Sequence, residues 1–213
     1  MTEETQAQLK QIKQSFRLMM DGSVAQSMRD KGLDYHLNWG ATLPRLHEMA
    51  DGIKARHTSP GSLYDLAIAL WKENIRECKI LATMVMPADE VLPEVVDIWM
   101  EQTETVEIAE QASMNLYQHL PYAAEKAFQW MASQHELYQL CGFHVITRLY
   151  MNGQEPNERG INEYLDQALA ALQGGGLSVR KAARNSLVRF AELGLVYERM
   201  AKSALKRVNL DFL

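Results

Sequence analysis

Cysteine is almost missing from this 213-residue sequence; Cys78 and Cys141 stand far apart, each inside an apolar pattern. With no CxxC pair and no zinc spacing, a disulfide framework and a zinc finger are excluded, and two buried free thiols are expected. Long apolar runs are missing as well. None approaches the roughly 18 residues that a membrane span needs, so no membrane partner is expected. The polar, acidic start MTEETQAQLKQIKQS lacks the basic opening and apolar stretch of a secretory signal, which points to a cytoplasmic protein. No segment alternates apolar and polar residues as a half-buried strand would. The six histidines show no HxxxH or His-Glu metal spacing, and there is no Walker loop, GxGxxG, GxSxG or Cys-His arrangement. No metal and no cofactor is therefore expected, and His144, on an apolar helix, reads as a core histidine.

One sign of charge is missing from a long stretch. From Ile80 through Glu125 there is no Lys or Arg, while Asp and Glu recur between Asp89 and Glu110. Within it, ETVEIAE sets Glu104, Glu107 and Glu110 at spacing three, one acidic edge of a helix. That edge reads as a solvated face; it would repel a polyanion, and it lacks the His or Asp partners of a metal site. The net charge of −5 is unevenly spread: residues 174–213 carry 8 Lys/Arg against 3 Asp/Glu. Asymmetry of this size bears on partners rather than on fold.

What is present is helical periodicity, almost everywhere. Leu9, Ile12, Phe16 and Met19 form the stripe of a first helix over about 3–20, and Ser23 is the candidate N-cap of a second. Thr42 looks like the N-cap of LPRLHEMADGIKAR. Ser59-Pro60-Gly61 is expected to end that helix, with Ser62 capping the next. Helices follow over 75–85, 90–100 with Asp89 as cap, 103–119 opened by Thr103 or Glu104, and 121–132. The segment 134–150 is apolar nearly all round and should sit centrally. After Pro156 come a helix to about Leu172, the linker Gln173–Gly176, a helix over 178–192 and a last one ending near Val208. The three glycines could hold a phosphate at a helix N-terminus, but a plain linker is the simpler reading. About eleven short helices in antiparallel pairs, with short loops, favour an all-α solenoid over a compact bundle.

Four segments carry a resemblance. They are NWGATLPRLHEMA (38–50), LAIALWKENIRECKILATMV (66–85), NLYQHLPYAAEKAFQWMASQHELYQLCGFHVITRL (115–149) and SVRKAARNSLVR (178–189). In this order and spacing, with Pro121, Lys126-Ala127, Trp130 and Gly142-Phe143 in register, the chain resembles the AlkD-like DNA alkylation repair family. The resemblance implies a single HEAT-like (ARM-type) right-handed superhelix over 1–213: N-terminal helices in 1–37, a family-like core in 38–190 and a C-terminal helix in 191–213. It also implies duplex DNA as the ligand, and glycosidic removal of cationic N3- or N7-alkylpurines. Such chemistry needs a carboxylate near the sugar, because the leaving base already carries its charge.

At the family's functional positions the chain departs from the pattern. Val106 stands for the aromatic, Glu110 for the catalytic aspartate, Leu140 for the central arginine and Asn185 for the late aromatic. Any glycosylase activity would rest on Glu110, and is expected to be weak or absent, since one extra methylene misplaces the carboxylate. Arg76-Glu77 reads as a fold marker that pairs with neighbouring helices and sets the register burying Ile80, Leu81 and Met84. The one clustered basic feature is Arg180, Lys181, Arg184 and Arg189, continued by Lys202, Lys206 and Arg207; it is the candidate DNA contact. A non-catalytic HEAT-like scaffold that binds a protein or another nucleic acid is the second reading.

Overall fold

The computed structural model describes residues 2–57 and 60–213, so the role expected of Ser59 lies outside the described residues. Among the described residues the chain forms twelve α-helices, one 3₁₀ turn and no strand; the lone β feature is a bridge between Leu37 and Ile75. The all-α expectation holds. No helix among the described residues is long and apolar enough to cross a membrane. The chain divides into two compact units, Met1–Pro121 and Tyr122–Leu213.

The first unit contains α1 (Glu3–Leu18), α2 (Gly22–Asp30), α3 (Leu43–Arg56), α4 (Pro60–Lys72), α5 (Arg76–Val85), α6 (Pro93–Glu101), α7 (Val106–Asn115) and the 3₁₀ turn Tyr117–His119. Helix α5 is its centre. It packs on α3, α4 and α7, and every residue of it except Lys79 is buried, Ile80, Leu81 and Met84 included. Of the expected stripe of α1, Leu9, Ile12 and Phe16 are buried where the helix packs on α4, while Met19 falls at the C-cap and is half-buried. Cys78 is a buried free thiol, pushed up to about 12 by burial, which keeps it uncharged and unreactive.

The second unit contains α8 (Ala123–Met131), α9 (Glu136–Met151), α10 (Glu158–Gly174), α11 (Leu177–Glu192) and α12 (Leu195–Arg207). Here α9 takes the central place expected of it, packed on α8 and α11 with nine buried residues from Leu140 to Tyr150. Tyr150, Tyr164 and Phe190 pack as an aromatic cluster with centroids 5.1–5.6 Å apart, and Tyr164 and Ser186 hydroxyls share a 2.8 Å hydrogen bond. Gly142 lies where α8 and α9 approach most tightly. A Cβ there would stand 2.7 Å from the Ala127 carbonyl oxygen and 2.7 Å from Met131 Cγ. Gly142→Ala should therefore cost about 1–3 kcal/mol through overpacking, read as a lower thermal unfolding midpoint; an unchanged midpoint would mean that α8 can retreat freely.

Several helix ends differ from expectation, each for a local reason. Asp21, not Ser23, caps α2, because its carboxylate accepts from the Ser23 and Val24 backbone N–H groups at 3.0 and 3.1 Å. Asp89 does not cap α6. That helix opens at Pro93, whose fixed φ suits the first helical position. Thr105 caps α7, and the helix stops at Asn115 instead of running to His119, giving way to the 3₁₀ turn. Pro60 already belongs to α4, so Ser62 lies inside its first turn. Gly174 is helical, which shortens the expected linker to Gly175-Gly176. A side chain on Gly176 would run into the Glu136 carboxylate, so an acidic group of the protein itself lies beside the α11 N-terminus.

Candidate functional site

A buried polar network is built on the first two residues of α5. The Arg76 guanidinium donates from Nε to Glu107 Oε2 at 2.8 Å and from Nη2 to Glu107 Oε1 at 2.5 Å, a bidentate fork. Its Nη1 donates to the Ala41 carbonyl at 2.9 Å and to Glu77 Oε1 at 3.3 Å. Glu77, fully buried, accepts from the Trp39 and Ala41 backbone N–H groups at 3.2 Å. Tyr35 completes the network, donating its hydroxyl to Glu107 Oε2 at 2.5 Å. The loop 37–41 is thereby fastened to the N-terminus of α5. Gly40 permits the turn (φ +76°) and lets the loop pass against the Asp21 carbonyl.

Charges follow from this geometry. Burial disfavours the Glu107 carboxylate, but the hydrogen bonds and charge of Arg76, with the Tyr35 hydroxyl, outweigh it and hold the group below its ordinary value. Burial likewise disfavours the Arg76 cation, and the two carboxylates overcome it. Arg76-Glu77 is thus the fold marker expected of it. Glu107 is not part of a solvated acidic edge, as its spacing with Glu104 and Glu110 suggested: its side chain is only 15% exposed. The residue that draws it inward is 31 positions away, beyond the reach of local pattern.

Glu110 sits one turn further along α7 and is exposed. Partial burial of its carboxyl and the nearby Glu107 charge push it up. Val106 is half-buried in the first turn of α7, and in the second unit Leu140 is core while Asn185 is exposed. All four tryptophans, Trp39, Trp71, Trp99 and Trp130, are buried. Trp71 and Trp99 stack at 4.2 Å, Trp71 donates its Nε1–H to Gln102 Oε1 at 2.8 Å, and Lys79 Nζ lies 4.4 Å from the Trp71 ring. This cluster is packing, not a surface for a sugar or base.

On α11, Arg180, Lys181 and Arg184 are exposed and fall within an arc of about 100° on the helix. Arg189 does not join them; it lies about 180° from Arg180 on the helix and donates from Nη1 to Glu192 at 2.6 Å. On α12, Lys206 and Arg207 are exposed, while Lys202 pairs with Glu198 at 2.6 Å. One contact was not legible in the sequence: the Arg184 guanidinium lies over the Phe212 ring, 5.0 Å from its centroid.

The sequence profile of the DNA alkylation repair enzyme family matches residues 12–187. The chain belongs to that family. The match begins in α1, well before Asn38 where the resembling segments start; α1 and α2 carry few distinctive residues. No curated protein sequence matches the chain. Among solved structures, the chain is similar to one described as "A new family of proteins related to the HEAT-like repeat DNA glycosylases with affinity for branched DNA structures". The TM-score is 0.79 at 16% identity, over 93% of this chain and 82% of that one. That likeness shows the fold: the helices of this family member are arranged as in proteins related to the HEAT-like repeat glycosylases.

Proposed function

We propose that this member of the DNA alkylation repair enzyme family is a DNA-binding protein that has given up base excision. The observation that carries the reading is the exposed arc Arg180, Lys181 and Arg184 on α11, a helix with no acid before Glu192. Three cations on one face neutralise phosphates and release counterions, the largest general source of affinity for DNA. The fold relative's affinity for branched DNA supports DNA as the ligand class. Two features argue against excision. Val106 stands where the resemblance implies an aromatic and Leu140 where it implies an arginine, and no indole is exposed. The carboxylate of α7 other than Glu110, Glu107, is committed to Arg76.

Two measurements test this. Duplex binding followed by fluorescence anisotropy should weaken steeply with salt, with a slope of about −0.9 per neutralised phosphate, hence about −3 for three cations. A flat salt response would reject the electrostatic interface. Incubation with duplex carrying N7-methylguanine should release no base above the spontaneous rate. Release that disappears in Glu110→Gln would overturn the loss of chemistry and restore Glu110 as the catalytic carboxylate.

A further inference from the structure

Phosphate contacts by Arg180, Lys181 and Arg184 would not distinguish one DNA shape from another, because every duplex presents phosphates. The Arg184–Phe212 contact is different in kind. Helix α12 ends in a Schellman turn: Leu210 N–H bonds the Leu205 carbonyl at 3.0 Å and Asn209 N–H bonds the Lys206 carbonyl at 3.2 Å. Asn209, at φ 58°, is the one non-glycine among the described residues with positive φ. This turn reverses the chain and brings the tail back to α11, where Phe212, half-buried, lies under the exposed Arg184 guanidinium. An arginine held against an aromatic ring is a cation–π pair whose planar guanidinium can also meet a second π face. With Arg184 exposed and Phe212 against its guanidinium, this pair adds an aromatic contact to the basic arc.

We propose that Arg184, held over Phe212 by the turned C-terminal tail, is a stacking platform for an exposed base face, and that it makes the second unit select branched DNA over continuous duplex. The proposal rests on the DNA-binding reading above. In continuous duplex both faces of every internal base pair are covered by neighbours. At a junction, gap or flap the stack is interrupted, and guanidinium planes and aromatic rings are the side-chain groups that cover such faces. Arg180 and Lys181 meet the phosphates on either kind of DNA; the Arg184–Phe212 layer adds affinity only where a base face is open. Lysine at 184 would keep the charge and lose the plane.

The test measures affinity for a four-way junction and for a continuous duplex of the same length and salt, and reads their ratio. The unaltered chain should prefer the junction by about tenfold, the size of one stacking contact. Arg184→Lys and Phe212→Ala should each bring the ratio close to one. Lys181→Ala, a phosphate contact, should weaken both DNAs in proportion and leave the ratio. If Phe212→Ala lowers helical content by circular dichroism, Arg184→Lys, a surface change, decides alone. A ratio preserved in Arg184→Lys, or no junction preference in the unaltered chain while duplex is bound, would overturn the platform and leave the DNA-binding reading intact. No binding of either DNA by the unaltered chain would overturn both.

Discussion

Arg76→Ala is expected to destabilise the chain by about 3–5 kcal/mol, because it strands Glu77 and Glu107 without their cation. Glu77 is completely buried and Arg76 is 1% exposed, so water cannot replace the lost partner. The loop 37–41 would lose the Ala41 anchor at the same time. Urea unfolding followed by circular dichroism measures the effect; a loss under about 1 kcal/mol would place the pair among weak surface bridges and refute the account of α5. Acid should act on the same network. The folded-state value of Glu107 lies below its ordinary 4.5, so its stabilisation is fully present above about pH 4.5 and is lost as pH falls through the lowered value. Glu107→Gln should therefore flatten the acid limb of the stability profile, besides costing stability at neutral pH.

Reversing the basic face is the second large effect. Arg180→Glu, Lys181→Glu and Arg184→Glu together should abolish duplex binding at low salt, a loss of at least about a hundredfold, since three phosphate contacts become repulsions. All three side chains are exposed, so the fold should survive, with surface changes of this kind costing about 0.5 kcal/mol or less each. Unchanged affinity would move the interface elsewhere on the molecule. Arg189→Glu makes a useful contrast. Its side chain points away from the arc and pairs with Glu192, so it should weaken binding far less than any residue of the arc.

Much of the fold was legible because helical burial is local. The apolar stripe of α1 and the all-round apolar α9 each follow from residues within one helix, and both took the places expected of them. Helix ends were less legible. At Asp21 and Ser23, or at Asp89 and Pro93, neighbouring residues compete for one cap, and small differences in backbone geometry decide the winner. The family was readable from four ordered segments, yet its full extent over 12–187 includes two helices whose sequences are ordinary.

The candidate site divides in the same way. Three cations at positions 180, 181 and 184 must share a helical face once α11 is a helix. By contrast, Glu107 belonged by spacing with Glu104 and Glu110, and a residue 31 positions earlier drew it out of that company. Phe212 carried no signal at all, being one aromatic in a short tail. Its meaning comes from Asn209, which turns the chain back toward Arg184.

By itself the sequence determined that the chain is helical, that α9 is central and which family it belongs to. These follow from the period of an α-helix and from residue identity, both local properties. Only the tertiary structure decided that Arg76 and Glu77 fasten a loop to the start of α5, that Arg76 also ties it to α7, that every indole is internal, and that a guanidinium of the basic arc lies over a phenyl ring. Each of those joins residues distant in the chain, through packing that no local pattern records.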